Sequence, residues 1–171
     1  MGLSEFTVAG ALVESSDGLL LVRNQRRNGS LDWSTPGGVI DATDRSVLDG
    51  LAREVREETG LEVWSWEGPL YEVRATAIDL GWSMRCEVHR AVDFGGELRL
   101  DDPDGIVIDA CFAPSDRWAA LLDDCSPWVR EPLADWLEHR WGPDARREYV
   151  YDVFGTHRDD VQVVRTSPPA P

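Results

Sequence analysis

The chain has 171 residues, 42% of them hydrophobic and 29% charged, which suits one folded core and argues against general disorder or two full domains. A formal net charge of -15, with no basic block to offset it, argues against a nucleic-acid polymer as partner and admits a small anion only where a cation screens it. All 17 positive residues are arginine, so the phosphate-loop lysine, the kinase strand lysine and Schiff-base chemistry are excluded.

Residues 5–14 read as a strand, "SSDG" as a turn, and the continuous apolar run 18–23 as a strand buried on both faces. The first segment has neither a basic lead nor an apolar run of membrane-spanning length, so no signal peptide or membrane span is expected and the default location is cytoplasmic. "NQRRNGSLD", residues 24–32, reads as a loop, and in "WSTPGG" Pro36 and two glycines exclude a regular central strand. A helix is expected from Ser46, its N-cap, to Thr59, with Gly60 ending it and Val47, Leu48, Leu51 and Val55 on the core arc.

Beyond Gly60, alternation at period two gives Tyr71, Val73 and Ala75, then Met84, Cys86 and Val88, as inward positions of two strands, with His89 outward. An acidic loop, "FGGELRLDDPDG", precedes a strand, "IVIDACF", and helices at 115–123 and 127–141, the second with Pro127 in its first turn. Residues 147–166 read as two strands around a glycine-containing turn, and "SPPAP" as a disordered end. The expected organisation is a domain over 1–142 and a hairpin extension with tail over 143–171, whose exposed edge invites a homodimer. Three widely spaced cysteines read as reduced structural thiols, and no histidine has metal-ligand spacing.

The segment "REVREETGL" carries the chemistry. At 100° per residue, Glu54, Glu57 and Glu58 fall within an arc of about 100° beside the core face. Converging carboxylates raise one another's pKa unless something positive sits among them, and the compact candidates are arginine side chains or hard divalent cations. Taken alone the segment reads first as a solvated face with an Arg53–Glu57 pair. Its surroundings say more: Gly37 and Gly38 precede the helix, and Gly50 sits inside it, where it costs about 1 kcal/mol relative to Ala. Gly50 lies one turn before Glu54 and is expected to let the glycine loop pass close to the carboxylates.

This stretch resembles the signature of the Nudix hydrolases, G-x5-E-x7-R-E-U-x-E-E-x-G-U with U aliphatic. Arg53 to Leu61 matches the second half at every specified position, Gly38 matches the leading glycine, and "LLLVR…W…PGG" is similar to the family's approach to the box. One residue is extra between Gly38 and Arg53, so the first box glutamate is replaced by Asp44 or by Arg45. The resemblance implies an α/β/α sandwich with a mixed sheet. It implies Mg²⁺ or Mn²⁺ held by Glu54, Glu57 and Glu58 with the carbonyl of Gly38, Arg53 orienting the carboxylates, and Glu57 as general base or ligand. The implied reaction is hydrolysis of the pyrophosphate bond in a small nucleoside diphosphate derivative or nucleoside triphosphate. The alternative is a binding module that holds a nucleotide without turnover.

Family members also recruit an acid from a later loop, for which Asp101, Asp102 and Asp104 are candidates, although each reads first as a turn residue. Arg23, with Arg26 and Arg27 behind it, could reach phosphate. Trp33, before the glycine loop with Gly37, could stack on a base, whereas Trp128, Trp136 and Trp141 read as packing of the terminal helix.

Overall fold

A computed structural model describes residues 2–157 and 160–167 of the chain. Its strands form two sheets. The larger contains β1 (Ser4–Leu12), β5 (Gly37–Val39), β6 (Glu62–Ala77), β7 (Trp82–Gly95), β9 (Arg147–His157) and β10 (Asp160–Arg165), in the order β10-β9-β6-β7-β1-β5. It is mixed: β1 runs parallel to β7 and β9 parallel to β6, while the other neighbours are antiparallel. In the smaller sheet β3 (Gly18–Gln25) pairs with β2 (Glu14–Ser15), β4 (Leu31–Ser34) and β8 (Val107–Ala113).

Helices close both sides of the larger sheet. On one side α1 (Val47–Thr59) packs Leu51 and Val55 on Ala9, Ala11, Leu61, Val63 and Ala91. The small Ala9 and Ala11 on β1 suit this close helix approach. On the other side α3 (Pro127–His139), preceded by the short α2 (Trp118–Leu121), packs Leu133 and Trp136 with Tyr71, Val73, Tyr149 and Tyr151. This is the expected three-layer α/β/α arrangement. The apolar run in β3 is buried on both faces: Leu19 and Leu21 join the α3-side core, and Leu20 the α1-side core.

The ends of α1 follow their local chemistry. Ser46 accepts the Asp49 N–H at 3.1 Å, and Gly60, at φ 76°, donates its N–H to Arg56 O at 2.8 Å. Leu48 departs from expectation. It is 36% exposed, because the buried arc is narrower than the apolar one and is centred on Leu51 and Val55.

Elsewhere tertiary contacts override the local pattern. The expected loop 24–32 gives its ends to β3 and β4, stitched by Asn24 Nδ2, which donates to Asp32 Oδ1 and Ser34 Oγ, both at 2.9 Å. β6 begins at Glu62 rather than Tyr71. Its register with β7 shifts between Glu67 and Tyr71, around Gly68 and Pro69, and this hides the strand's alternation. The same irregularity covers His89, which is 4% exposed rather than outward; a Cβ on Gly68 would lie 2.9 Å from its Nδ1. The helix expected over 115–123 is a 3₁₀ turn, Ser115–Arg117, running into α2.

β9 and β10 form the C-terminal hairpin, and β9 lies along β6 with Tyr149, Tyr151 and Val153 buried. Gly155 belongs to β9, and residues 158–159, together with all of the terminal "SPPAP" except Ser167, lie outside the described residues. Cys86, Cys111 and Cys125 are free thiols. No described helix is long and apolar enough to cross a membrane.

Candidate active site

Pro36, Gly37 and Gly38 lie between β1 and α1, where two close approaches demand glycine. Gly37 has φ 146°, and a Cβ there would lie 2.2 Å from Ala9 O; a Cβ on Gly38 would lie 2.7 Å from the Glu54 carboxyl group. The glycine loop is thus pressed against the α1 carboxylates. Gly50 serves a neighbouring segment instead: its missing Cβ makes room for Asp44 Oδ2 and Ile40 Cδ1, at 2.7 and 2.8 Å from that position.

Arg53 organises this corner. Its Nε and Nη2 donate to the two oxygens of Asp44 at 3.1 and 3.0 Å, and its Nη1 donates to Glu54 Oε1 at 2.9 Å and Glu57 Oε2 at 3.0 Å. Asp41 adds an ion pair at 3.4 Å. The spatial pairing resolves the choice between Asp44 and Arg45: Asp44 faces the guanidinium in a bidentate pair and also accepts the Asp41 N–H at 2.8 Å. The hydrogen bond from Arg53, then that from Asp41, hold the Asp44 carboxyl below its usual range. The same pairing with Asp44 raises Arg53 further, so it stays charged.

Glu58 stands apart from this network. Its one hydrogen bond among the described residues is from Gly37 N–H to Oε2, at 2.9 Å. Burial pushes its carboxyl up to about 8; the Gly37 N–H opposes the shift, and the Glu54 and Asp102 charges add to it. Glu54 is also raised, by burial first, with Arg53 opposing.

Both carboxylates line a cavity of about 490 Å³. Its walls include Gly37, Gly38, Arg53, Asp102 and Asp104, and its floor is the sheet surface formed by Val73, Met84, Cys86 and Val88. Met84 and Cys86 therefore remain partly exposed on the inward face of β7.

The other candidates divide. Glu57 is held by Arg53 and does not line the cavity. Arg23 and Trp33 face each other across β3 and β4 and do not line it either, because the alternation presents Asn24 and Ser34 there. Asp102 and Asp104 line it, whereas Asp101 is exposed elsewhere. Asp102 is committed to its turn, accepting the N–H groups of Asp104, Ile106 and Val107 at 3.1, 2.8 and 2.8 Å. Trp136 and Trp141 pack as expected, Trp141 donating to Leu70 O at 2.7 Å.

Two lining residues, Asn24 and Trp128, escaped the sequence reading, and Arg26, named there as a phosphate candidate, lines the cavity as well. Asn24 is a buried polar residue at the end of an apolar run, and that interruption was its only signal. Arg26 lines the cavity while its guanidinium forks onto Asp32 at 2.7 and 2.8 Å. Trp128 turns to the cavity from α3 and meets Trp82 edge to face.

As for a metal, no three carboxylate, histidine or cysteine side chains among the described residues form a ready-made cage. The donor set nonetheless fits a hard divalent cation: Glu54 and Glu58 offer desolvated carboxylate oxygens to one cavity, and no arginine among the described residues pairs with Glu58.

The NUDIX domain model matches residues 5–136. Among solved structures, the chain is similar to the MutT protein from Bacillus halodurans, with TM-score 0.63 and 21% identity over 96% of this chain and 99% of that one. It is similar to the E. coli ORF135 protein, with TM-score 0.64 and 18% identity over 81% and 94%. A third likeness is to the MutT NUDIX hydrolase from Burkholderia pseudomallei, with TM-score 0.59 and 24% identity over 79% and 97%. At these identities the likenesses speak for the fold alone. No curated protein matches the chain in sequence.

Proposed function

The chain belongs to the Nudix family of pyrophosphohydrolases, and we propose that it hydrolyses the diphosphate bond of a small nucleotide with Mg²⁺ or Mn²⁺ held at Glu54, Glu57 and Glu58, assisted by the carbonyl of Gly38. The observation that carries this reading is Glu58. It is a desolvated carboxylate beside Glu54, Asp102 and Asp104, with a backbone N–H as its only partner among the described residues. A divalent cation there would compensate what the chain leaves uncompensated.

When bound, such a cation neutralises the diphosphate, positions water and stabilises the leaving phosphate oxygen. The chain's own groups prepare the place. Gly37 N–H fixes one oxygen of Glu58, so the side chain presents its carboxyl group to the cavity in one orientation. Arg53 bridges Glu54 and Glu57 and is itself anchored by Asp44, which holds the spacing of the two carboxylates. Asp104 is the loop carboxylate suited to help remove a proton from water, since Asp102 is occupied by three backbone N–H groups. Of the residues on β3, β4 and the loop between them, Asn24, Arg26 and Ser34 line the cavity with Gly37 and are the ones proposed to meet substrate, in place of Arg23 and Trp33.

The test is product formation from a mixed nucleotide panel with Mg²⁺, with Mn²⁺ and with EDTA. Metal-dependent release of monophosphates is the expected result. Tight nucleotide binding without any metal-dependent product would instead identify a binding module.

A further inference from the structure

Part of the cleft is built by a segment beyond the family domain. The domain match ends at residue 136, and the hairpin of β9 and β10 follows it. Val153 of β9 and Val161 of β10 nonetheless wall a second cavity, of about 870 Å³, which shares Arg26, Ser34, Trp128 and Val129 with the cavity of Glu54 and Glu58. Trp128 and Val129 lie in the first turn of α3, so the placing of that turn shapes both spaces.

The turn is placed by the roll of α3 about its own axis. The buried stripe of the helix, Pro132, Leu133 and Trp136, packs by apolar contact, which is non-directional and does not by itself fix a roll. Directional contacts come from β9. Tyr149 and Tyr151, both fully buried, donate their O–H groups to Asp135 Oδ2 at 2.8 Å and to Glu131 Oε2 at 3.0 Å. Two residues along a strand advance about 6.6 Å and four along a helix about 6 Å, so the two pairs match as rungs of one ladder. Arg165 of β10 lies 4.0 Å from Glu131 and 4.7 Å over the Tyr149 ring. At 100° per residue, Trp128, Glu131 and Asp135 share an arc of about 60°. The rungs therefore grip the same stripe from which Trp128 reaches the cleft, where its ring stands 6.2 Å from that of Trp82 at 76°.

We propose that Tyr149 and Tyr151 are positioning residues for the cleft. Through Asp135 and Glu131 they hold α3 at the roll that sets Trp128 as a wall against bound nucleotide; the nucleotide rests on the pyrophosphohydrolase reading, whereas the roll does not.

Tyr149→Phe and Tyr151→Phe each remove one hydroxyl and keep the buried ring. In ¹⁵N-labelled protein the indole N–H signals of Trp82 and Trp128, assigned with Trp82→Phe and Trp128→Phe, should move in both variants, while those of Trp64 and Trp66 stay in place. With dGTP, ATP and ADP-ribose as probes and Mg²⁺ present, KM should rise at least fivefold for each probe that wild type cleaves, with kcat within twofold. In a Trp128→Ala background the same hydroxyl removals should leave KM within twofold, because the side chain they act through is gone. Should either tyrosine variant fail to fold, Glu131→Ala, which removes an acceptor from the helix side, decides. Unmoved Trp82 and Trp128 signals, or a KM rise that persists with Trp128→Ala, would overturn the positioning role and leave the family activity standing. Absence of metal-dependent cleavage by wild type would remove the pyrophosphohydrolase reading instead, and the indole signals would still decide the roll.

Discussion

Two glutamates, Glu58 on α1 and Glu72 on β6, are both shielded, and the chain treats them in opposite ways. Glu72 is 2% exposed, and its oxygens accept from Arg74 Nε at 2.9 Å and Arg85 Nη2 at 2.7 Å. The Arg85 hydrogen bond, with Arg74 adding to it, holds its carboxyl below the usual range. The cover over it is thin, because both arginine side chains are about half exposed. Glu58 lies inside the cleft with no arginine among the described residues bonded to it, and burial raises its carboxyl to about 8. A carboxylate that serves the fold is given its countercharge; one left without it is prepared for a ligand that brings its own.

The sharpest way to break that comparison is to neutralise each glutamate. Glu58→Gln should lower kcat/KM at least a hundredfold, on the order of 3 kcal/mol. It should also raise the melting temperature of the metal-free protein at alkaline pH, because it removes a costly buried charge. The sign follows from the raised pKa. The contribution of Glu58 to metal-free stability is full below about 4.5, its ordinary value, and is lost as pH rises through about 8. Thermal melts with and without Mg²⁺ across that range would show whether added cation removes the alkaline loss in wild type and has no such effect in the variant.

Arg53→Lys is next in size. It keeps the charge and loses the fork onto Asp44, Glu54 and Glu57, so a drop of about tenfold to thirtyfold in kcat is expected from steady-state rates. Asp44→Asn should cost less, about threefold to tenfold, while Arg45→Ala should be silent in the same assay if Asp44 fills the displaced box position.

The acidic loop offers a further separation: Asp102→Ala is expected to cost about 1–2 kcal/mol of stability in denaturant melts through its three lost turn hydrogen bonds. Asp104→Asn should instead lower kcat with little change in those melts. Glu72→Gln is the smallest, about 0.5–1 kcal/mol because its arginines are half exposed, with unchanged kcat. Its stabilisation is present above about 4.5 and lost as pH falls, opposite in direction to Glu58.

What the sequence disclosed follows from how local each signal is. Ser46, the apolar arc and Gly60 specify α1 within one helix, and the match from Arg53 to Leu61 identifies its acidic face, so both were legible. The partner of Arg53 was not, since Asp44 and Arg45 differ by one place in a loop and only the folded chain brings one of them to the guanidinium. That Arg23 and Trp33 do not line the cavity has a related reason. A continuous apolar strand hides its parity, and one step along β3 exchanges Arg23 for Asn24 at the cavity wall. His89 was misplaced because the irregularity around Gly68 covers a strand face that alternation leaves open. Trp128 reads from sequence as helix packing, and only the folded chain brings it to Trp82 of β7 and to the cavity wall.

The central claim is that the cleft carboxylates hold a divalent cation because no arginine among the described residues pairs with Glu58 and the distant Arg26 charge does not offset its burial. Calorimetric titration of Mn²⁺ into the metal-free protein addresses it without any substrate. Wild type and Glu72→Gln should bind alike, and Glu58→Gln at least tenfold more weakly. Equal Mn²⁺ affinity in wild type and Glu58→Gln would contradict the account.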